Sequence, residues 1–219
     1  MQDLLVAAGL FVAAFLLGSI PWGLVISTVF FHTDIRQHGS GNIGTTNAMR
    51  TIGKAGGAAV FVLDFGKGLL SGVLAWAFSQ YLLPGAGLVP GAPVSHDTML
   101  AVAFLGCTWG HIFSPWLKFK GGKGIAVAVG CLFVTFGWVG ACLELLIFAV
   151  LVVATKHVSV GSIAAAATCP FFALYFFWGD WLAWACCTIA ALTVVWAHRG
   201  NIARLRAGTE SRIGQKKEA

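Results

Sequence analysis

Hydrophobic residues fall in long runs along this chain, and short polar segments separate the runs. Most runs approach or exceed the roughly 20 residues that a helix needs to cross a bilayer. The stretches 125–155 and 159–197 are too long for one crossing, and each is interrupted, by F-G-W-V-G at 136–140 and by W-G-D-W at 178–181. The pattern predicts an all-α integral membrane protein. Its seven transmembrane helices are expected at 4–31, 58–83, 98–117, 124–136, 138–155, 159–178 and 180–197.

The distribution of basic residues predicts the orientation of these helices. With the N-terminus outside, all lysines and arginines can be placed on the inside, while the outside carries Asp3, Asp97 and Asp180. This asymmetry follows the positive-inside rule, so the C-terminus is predicted to be cytoplasmic. The segments on the basic side are loops 32–57, 118–124 and 156–158 and the tail 198–219.

Composition leaves no room for a separate soluble domain. The chain is 58% hydrophobic and 10% charged, whereas an ordinary soluble domain is about 25% charged. We therefore expect one membrane-embedded domain over 1–219. It includes the first apolar run, which lacks the basic n-region of a cleaved signal peptide. The net charge of +6 is attributed to loops that face anionic lipid headgroups, not to nucleic-acid binding.

A glycine-rich polar motif, G-S-G-N-I-G-T-T-N-A-M-R, occupies 39–50. Glycines allow backbone conformations in which successive amides form an anion-binding concavity, and an arginine matches phosphate with two parallel donors. The motif therefore predicts a phosphate site, although a flexible loop that caps a helix starting near Thr45 would give the same pattern. Its candidate ligands are Gly39, Ser40, Gly41, Asn42, Gly44, Thr46, Asn47 and Arg50.

A second motif, K-F-K-G-G-K-G at 118–124, directly precedes the fourth predicted helix. A helix N-terminus there would direct its unpaired amides and its dipole at an anion. The spacing differs from that of a nucleotide-binding P-loop, and a basic anchor loop is the alternative interpretation. The candidate ligands are Lys120, Gly121, Gly122 and Lys123.

The remaining candidates lie near the ends of helices. His198 and Asn201 share one face if the last helix continues, and Ser162 lies near the start of the sixth helix, where capping is equally plausible. His111 is a functional candidate because it is an ionisable group inside a span. Asp64 and Lys67, spaced i,i+3, are predicted to form a structural ion pair, and the role of Glu144 in the fifth span stays open.

Together these motifs resemble the bacterial acyl-phosphate:glycerol-3-phosphate acyltransferases, the PlsY family. The resemblance covers nearly the whole chain, and the family's seven-span topology agrees with the one predicted above. Besides 39–50, the matching segments are L-G-S-I-P-W-G (17–23), L-D-F-G-K-G (63–68), G-H-I-F-S-P (110–115), F-K-G-G-K-G-I-A (119–126), V-S-V-G-S-I (158–163) and H-R-G-N-I-A-R-L-R-A-G-T-E (198–210).

The resemblance implies transfer of a fatty acyl group from a long-chain acyl phosphate to the 1-hydroxyl of glycerol 3-phosphate, which yields lysophosphatidic acid and phosphate. It implies a multi-pass protein of the bacterial cytoplasmic (inner) membrane, among membrane lipids, with its active site facing the cytoplasm. The residues implied for glycerol 3-phosphate or the transferring group are Ser40, Arg50, Lys123, Ser162, His198 and Asn201. Gly39 to Asn42 are implied for the acyl-phosphate site, which is expected to include Gly44, Thr46, Asn47, His111, Lys120, Gly121 and Gly122.

The chemistry leaves the proton acceptor open. An acyl phosphate is an activated anhydride, so positioning and electrostatic stabilisation suffice for transfer. His198, His111 or the donor's own phosphate would serve as the base. No cofactor or metal is expected, because the inside carboxylates are not clustered and the six cysteines lie in apolar runs without metal-ligand spacing. A transporter of a phosphorylated solute is the alternative function, but the outside loops carry few polar groups.

Overall fold

The structure is a computed structural model that describes residues 2–81 and 94–214. Residues 82–83 of the second predicted span, most of the outside connection that follows it, and residues 215–219 of the predicted tail lie outside the described residues. In the described part the chain forms α-helices and two short 3₁₀ turns, and no strand occurs there. The α-helices are α1 (Gln2–Ser19), α2 (Trp22–Phe31), α3 (Thr45–Thr51), α4 (Gly53–Tyr81), α5 (His96–Ile112), α6 (Ile125–Thr135), α7 (Gly137–Thr155), α8 (Val158–Phe176), α9 (Trp181–Ala197) and α10 (Arg199–Arg206).

The all-α membrane architecture predicted from the hydrophobic runs is confirmed. In the described residues, five helical segments are long and apolar enough to cross a bilayer, and α9 with α10, bent by 49°, would make a sixth. Helix α6 is also apolar but has only 11 residues. The count of seven spans and their orientation stay predictions.

Three helix boundaries differ from those expected from hydropathy. Helix α5 ends at Ile112 instead of residue 117, and a short 3₁₀ turn follows it. The first predicted span is divided into α1 and α2 at Ile20 and Pro21, because proline has no N–H to donate to the preceding turn. Helix α4 begins at Gly53 instead of residue 58, since its first turn is polar and lies outside the apolar run. By contrast, the predicted turn at 136–140 coincides with the break between α6 and α7, where Gly137 adopts φ 67°.

Helix α5 forms the centre of the bundle, and glycines allow its neighbours to approach closely. A Cβ on Gly18 of α1 would lie 2.1 Å from the carbonyl oxygen of Cys107, and one on Gly110 of α5 would lie 2.0 Å from that of Phe15. Such small residues bring helix backbones together in membrane proteins. Gly130 of α6 packs against α4 in the same way.

Helices α5, α6, α7, α8 and α9 pack consecutively in a ring, since α5 contacts both α6 and α9. The loop before α6 and the junction of α9 with α10 lie at one end of this ring, where α3 and its preceding loop also lie. The two glycine-rich motifs and the basic segment 198–206 therefore meet at that end.

Candidate active site

A cavity of about 1400 Å³ opens at this end of the bundle and extends between the helices of the ring. Its walls change character with depth, because residues deeper along α5, α6, α8 and α9 are apolar. We call its outer part the polar mouth, formed by Ser40, Arg50, Lys123, Ser162, His198 and Asn201. We call its inner part the apolar end, formed by Phe104, Leu132, Leu145, Ala166, Cys169 and Ala191.

Most of the predicted site residues line this cavity. All six residues implied for glycerol 3-phosphate do so, although they come from four separate segments of the chain. Of the other predicted residues, Gly39, Asn42, Gly44, Thr46, Asn47 and His111 also line it. Gly41, Lys120, Gly121 and Gly122 do not belong to its walls.

Asn47 organises the glycine loop from the first turn of α3. Its Oδ1 accepts a hydrogen bond from the Ser40 backbone N–H at 2.8 Å. Its Nδ2 has two hydrogens, which three carbonyl oxygens share, those of Ile35, His38 and Asn42 at 3.1, 3.1 and 2.8 Å. Because both polar atoms are occupied, the prediction that Asn47 binds phosphate is corrected: its side chain holds the loop in shape.

The amides of the glycine loop are only in part available to an anion. The Gly41 N–H donates to the His38 carbonyl at 3.0 Å, and the Gly44 N–H donates to Oδ1 of Asn42 at 2.9 Å. The expected concavity of successive amides is therefore not formed by these glycines. Thr45 and Thr46 begin α3, so their N–H groups lack an intrahelical carbonyl, and both residues line the cavity.

The second motif also differs from its predicted role. The N–H of Gly121 donates to the carbonyl of Ile112 and that of Gly122 to the carbonyl of His111, each at 3.0 Å. These bonds complete the last turn of α5, so the two amides do not point at a ligand. The close packing explains the glycines, because a Cβ on Gly122 would lie 2.0 Å from Nε2 of His111.

Lys123, the residue after these glycines, faces the cavity beside other cations. Burial lowers the pKa of its amine to about 8, with a further lowering by Arg204 and Arg50, against which Glu210 acts in the opposite direction. A lysine with this pKa is mostly protonated at neutral pH, and an approaching phosphate raises its pKa and keeps it charged. The polar mouth is thus electrostatically prepared for an anion.

His198 ends α9 and is 2% exposed. Its Nδ1 lies 2.8 Å from the carbonyl oxygen of Val194. A carbonyl only accepts, so Nδ1 must carry the hydrogen, and in a neutral ring Nε2 keeps its lone pair. His198 therefore has the tautomer that a general base requires.

The predicted ion pair between Asp64 and Lys67 is confirmed, with Nζ 2.8 Å from Oδ1 and both side chains buried. The Lys67 amine also donates to the carbonyl of Ile20 at 2.7 Å, which fixes the break between α1 and α2. The same amine lies 3.0 Å from Nδ1 of His111. Three segments that resemble the PlsY motifs, 17–23, 63–68 and 110–115, thus meet at one buried polar cluster.

Glu210 is a site residue that reasoning from single residues missed. Its two carboxylate oxygens accept from Nδ2 of Asn201 at 2.6 Å and from Nε of Arg204 at 2.7 Å. Burial acts to raise its pKa, but the hydrogen bonds to the carboxylate and the charge of Arg204 together outweigh burial and lower the pKa. The signal was available, since Glu210 closes the last segment of the resemblance.

Glu210 also anchors a strap across the polar mouth. Residues 208–212 line the cavity, and the N–H of Ile213 donates to the carbonyl of Lys156 at 2.8 Å. The segment after α10 therefore spans from α10 to the junction of α7 and α8.

Comparison with known proteins supports the class to which this site belongs. The family model described as glycerol-3-phosphate acyltransferase matches residues 8–208. A glycerol-3-phosphate acyltransferase of Rhodopseudomonas palustris (strain HaA2) is 41% identical, over 95% of this chain and 98% of the relative. One of Maricaulis maris (strain MCS10) is 40% identical, over 99% of this chain and 92% of the relative.

Two solved structures share the fold. The crystal structure of PlsY (YgiH), an integral membrane glycerol 3-phosphate acyltransferase, in its glycerol 3-phosphate form has a TM-score of 0.80 and 32% identity. The lysophosphatidic acid form of PlsY has a TM-score of 0.77 and 31% identity. Each comparison covers 95% of this chain and 96% of the other.

The fold and the cavity define an integral membrane protein whose cavity has a polar, cationic mouth and an apolar interior. The chain belongs to the glycerol-3-phosphate acyltransferase family, which confirms the resemblance found in its motifs.

Proposed function

We propose that the protein transfers a fatty acyl group from an acyl phosphate to the 1-hydroxyl of glycerol 3-phosphate, and that it releases lysophosphatidic acid and phosphate. One observation carries the proposal: Arg50 and Lys123, from two separate motifs, line the mouth of a cavity whose inner end is apolar. A charged phosphate and a fatty tail need these two environments side by side. Family membership supports the same reaction.

Phosphate recognition is assigned to the cations and donors of the mouth. Arg50 supplies a planar pair of N–H groups, and Lys123 supplies a compact charge. Ser40 and Ser162 add hydroxyl groups, and Asn42 adds an amide, whose Nδ2 makes no hydrogen bond to any other described residue. The first-turn amides of α3 extend this set toward the acyl phosphate.

Acyl transfer requires that the substrate hydroxyl attack the acyl carbon while phosphate leaves. Positioning by the mouth converts this into an effectively unimolecular step. Lys123 and Arg50 stabilise the charge that develops on the leaving phosphate. The hydroxyl proton passes either to Nε2 of His198 or to the donor's own phosphate oxygen, and substitution of His198 distinguishes the two routes.

The fatty tail of the donor is assigned to the apolar end of the cavity. This placement removes apolar surface from water and leaves the reactive anhydride beside His198 and Ser162. It also keeps the tail between helices that adjoin membrane lipids, from which a lipid-soluble donor would enter.

The polar mouth is proposed to face the cytoplasm of a bacterial inner membrane, with the N-terminus outside and seven spans. The basic loops support this orientation. Glycerol 3-phosphate is a soluble, charged metabolite and needs access from water at that side. No cofactor or metal is proposed, and nucleic acid is not proposed as a partner.

The function is tested with purified protein in detergent, given palmitoyl phosphate and glycerol 3-phosphate in the presence of EDTA. Equal amounts of phosphate and lysophosphatidic acid are expected, with no product from acyl-CoA. Lys123→Ala is the matched inactive control. Absence of lysophosphatidic acid from folded protein would contradict the proposal, and uptake of glycerol 3-phosphate by proteoliposomes would then favour a transporter.

A further inference from the structure

Glu144 of α7 is a buried acidic residue in the wall of the cavity, and it is 3% exposed. The proposed reaction assigns it no role. Its only neighbour with a polar side chain at hydrogen-bond distance, among the described residues, is Thr168 of α8, whose Oγ1 lies 3.2 Å from Oε2. The other oxygen, Oε1, is buried without a hydrogen-bond partner in that part of the chain.

The hydrogen bond from Thr168 is weak and uses little of the hydrogen-bonding capacity of the Glu144 carboxyl group. Oγ1 of Thr168 also lies 3.2 Å from the carbonyl oxygen of Ala164 and 2.9 Å from that of Ala165. A hydroxyl has one hydrogen to donate, so three acceptors compete for it and the closest is a backbone carbonyl. Glu144 forms no ion pair with any described residue. Its carboxyl group thus keeps unused hydrogen-bonding capacity.

The depth of this group distinguishes it from the phosphate site. Thr168 follows Ser162 of the polar mouth by six residues on α8, which corresponds to roughly 9 Å along the helix axis. Leu145 and Cys169, the chain neighbours of the pair, belong to the apolar end. Glu144 therefore lies where the middle of a fatty tail would run.

A carboxyl group at this depth is costly unless something pairs with it. Ionisable groups inside a membrane span are rare and mark functional sites, and a buried polar atom without a partner carries a desolvation penalty. An apolar residue at position 144 would pack α7 against α8 without that penalty. The position thus indicates a ligand that brings its own hydrogen-bonding group.

We propose that Glu144 is a specificity-determining residue that binds a hydroxyl group carried on the acyl tail of the donor. The inference rests on the proposed acyl-transfer function and on assignment of the tail to the apolar end. A hydroxyl at the right carbon forms a hydrogen bond with the carboxyl group of Glu144. A saturated tail without a hydroxyl leaves Oε1 of Glu144 without a partner. The enzyme then favours hydroxyacyl donors over their saturated counterparts.

The test compares palmitoyl phosphate with a series of palmitoyl phosphates that carry one hydroxyl at successive mid-chain carbons. kcat/KM is measured for the wild type, Glu144→Met and Glu144→Gln. Methionine keeps the length of the side chain without a strong hydrogen-bonding group, and glutamine keeps both. In the wild type we expect a preference that peaks at one hydroxyl position. Glu144→Met should lower that preference about tenfold, as the loss of one hydrogen bond predicts, and Glu144→Gln should retain most of it.

The outcomes separate this inference from the function on which it rests. If the wild type makes lysophosphatidic acid from both donors but the preference is flat, or is equal in Glu144→Met, the inference is wrong and the function stands. A uniform loss of activity with all donors in Glu144→Met, with Glu144→Gln unaffected, assigns Glu144 to helix packing and also overturns the inference. If the wild type uses no donor, the proposed function itself fails. If Glu144→Met does not fold, the wild type still decides, because a flat response across the hydroxyl positions overturns the inference.

Discussion

The amine of Lys67 lies 3.0 Å from Nδ1 of His111, and this contact separates the two histidines that the sequence offered as bases. Lys67 only donates, so Nδ1 of His111 must accept, and the hydrogen of a neutral ring is then on Nε2. His111 consequently has no lone pair to offer a substrate. His198 has the opposite tautomer, because its Nδ1 donates to the carbonyl of Val194.

His198→Ala should therefore reduce turnover sharply. General bases contribute about 10²- to 10⁴-fold to the rate, and a loss in this range is expected in kcat, with a smaller change in the KM of the acyl phosphate. Single-turnover kinetics with saturating substrates would measure it. Near wild-type kcat would exclude His198 and assign the proton to the donor's phosphate.

Removal of one partner of the buried Asp64–Lys67 pair should lower the free energy of unfolding far more than removal of one partner of an exposed pair. Asp64→Asn leaves the ammonium of Lys67 buried without its counter-ion, which costs about 3–5 kcal/mol of unfolding free energy. Asp34→Asn is the matched control, because Asp34 pairs with Arg36 at 2.7 Å on the surface and should contribute less than about 1 kcal/mol. Denaturant titration in detergent would compare them, and equal losses would contradict the distinction.

Gly39 should not tolerate alanine. Its φ is 59°, and an added Cβ would lie 2.2 Å from Oδ1 of Asn47, the atom that shapes the loop. Gly39→Ala is expected to abolish activity while the protein stays folded. Gly66→Ala is the control, since nothing lies within 4 Å of a Cβ there and alanine is the better helix former. Similar activities of both variants would show that the loop adapts.

Lys123 should give substrate binding a pH dependence near its pKa of about 8. Below that value the ammonium is present and pairs with phosphate, and above it the amine is neutral. Bound phosphate raises the pKa of Lys123, so binding takes up a proton and affinity should fall toward about tenfold per pH unit above pH 8. Lys123→Arg should remove this decrease, because arginine stays charged. KM for glycerol 3-phosphate, measured for both proteins from about pH 7 to 9, tests this, since the second phosphate ionisation near pH 6 is already complete.

The sequence predicted the all-α fold and most of the residues that line the cavity because the relevant signals are local. The interruption at F-G-W-V-G predicted the break at Gly137, and the i,i+3 spacing predicted the pair of Asp64 and Lys67. The roles of Asn47, Gly121 and Gly122 were wrong because they depend on which carbonyl each N–H meets. Those hydrogen-bond partners lie across a loop or at the end of another helix, and the spacing of residues along the chain does not predict them.

Glu210 illustrates a different limit. A carboxylate near a phosphate site looks unfavourable in the sequence, yet it holds Asn201 and Arg204. This role requires the segment after α10 to fold back over the polar mouth. The periodicity of the sequence does not predict that fold.

The shortness of α6 has a consequence for the surrounding lipid. Eleven residues rise about 16 Å, whereas the hydrocarbon of a typical bilayer is about 30 Å thick. The turn after α6 places Trp138, 75% exposed, where acyl chains would otherwise continue. Hydrophobic mismatch of this size predicts that lipids beside α6 compress or tilt and that the bilayer is thinner there.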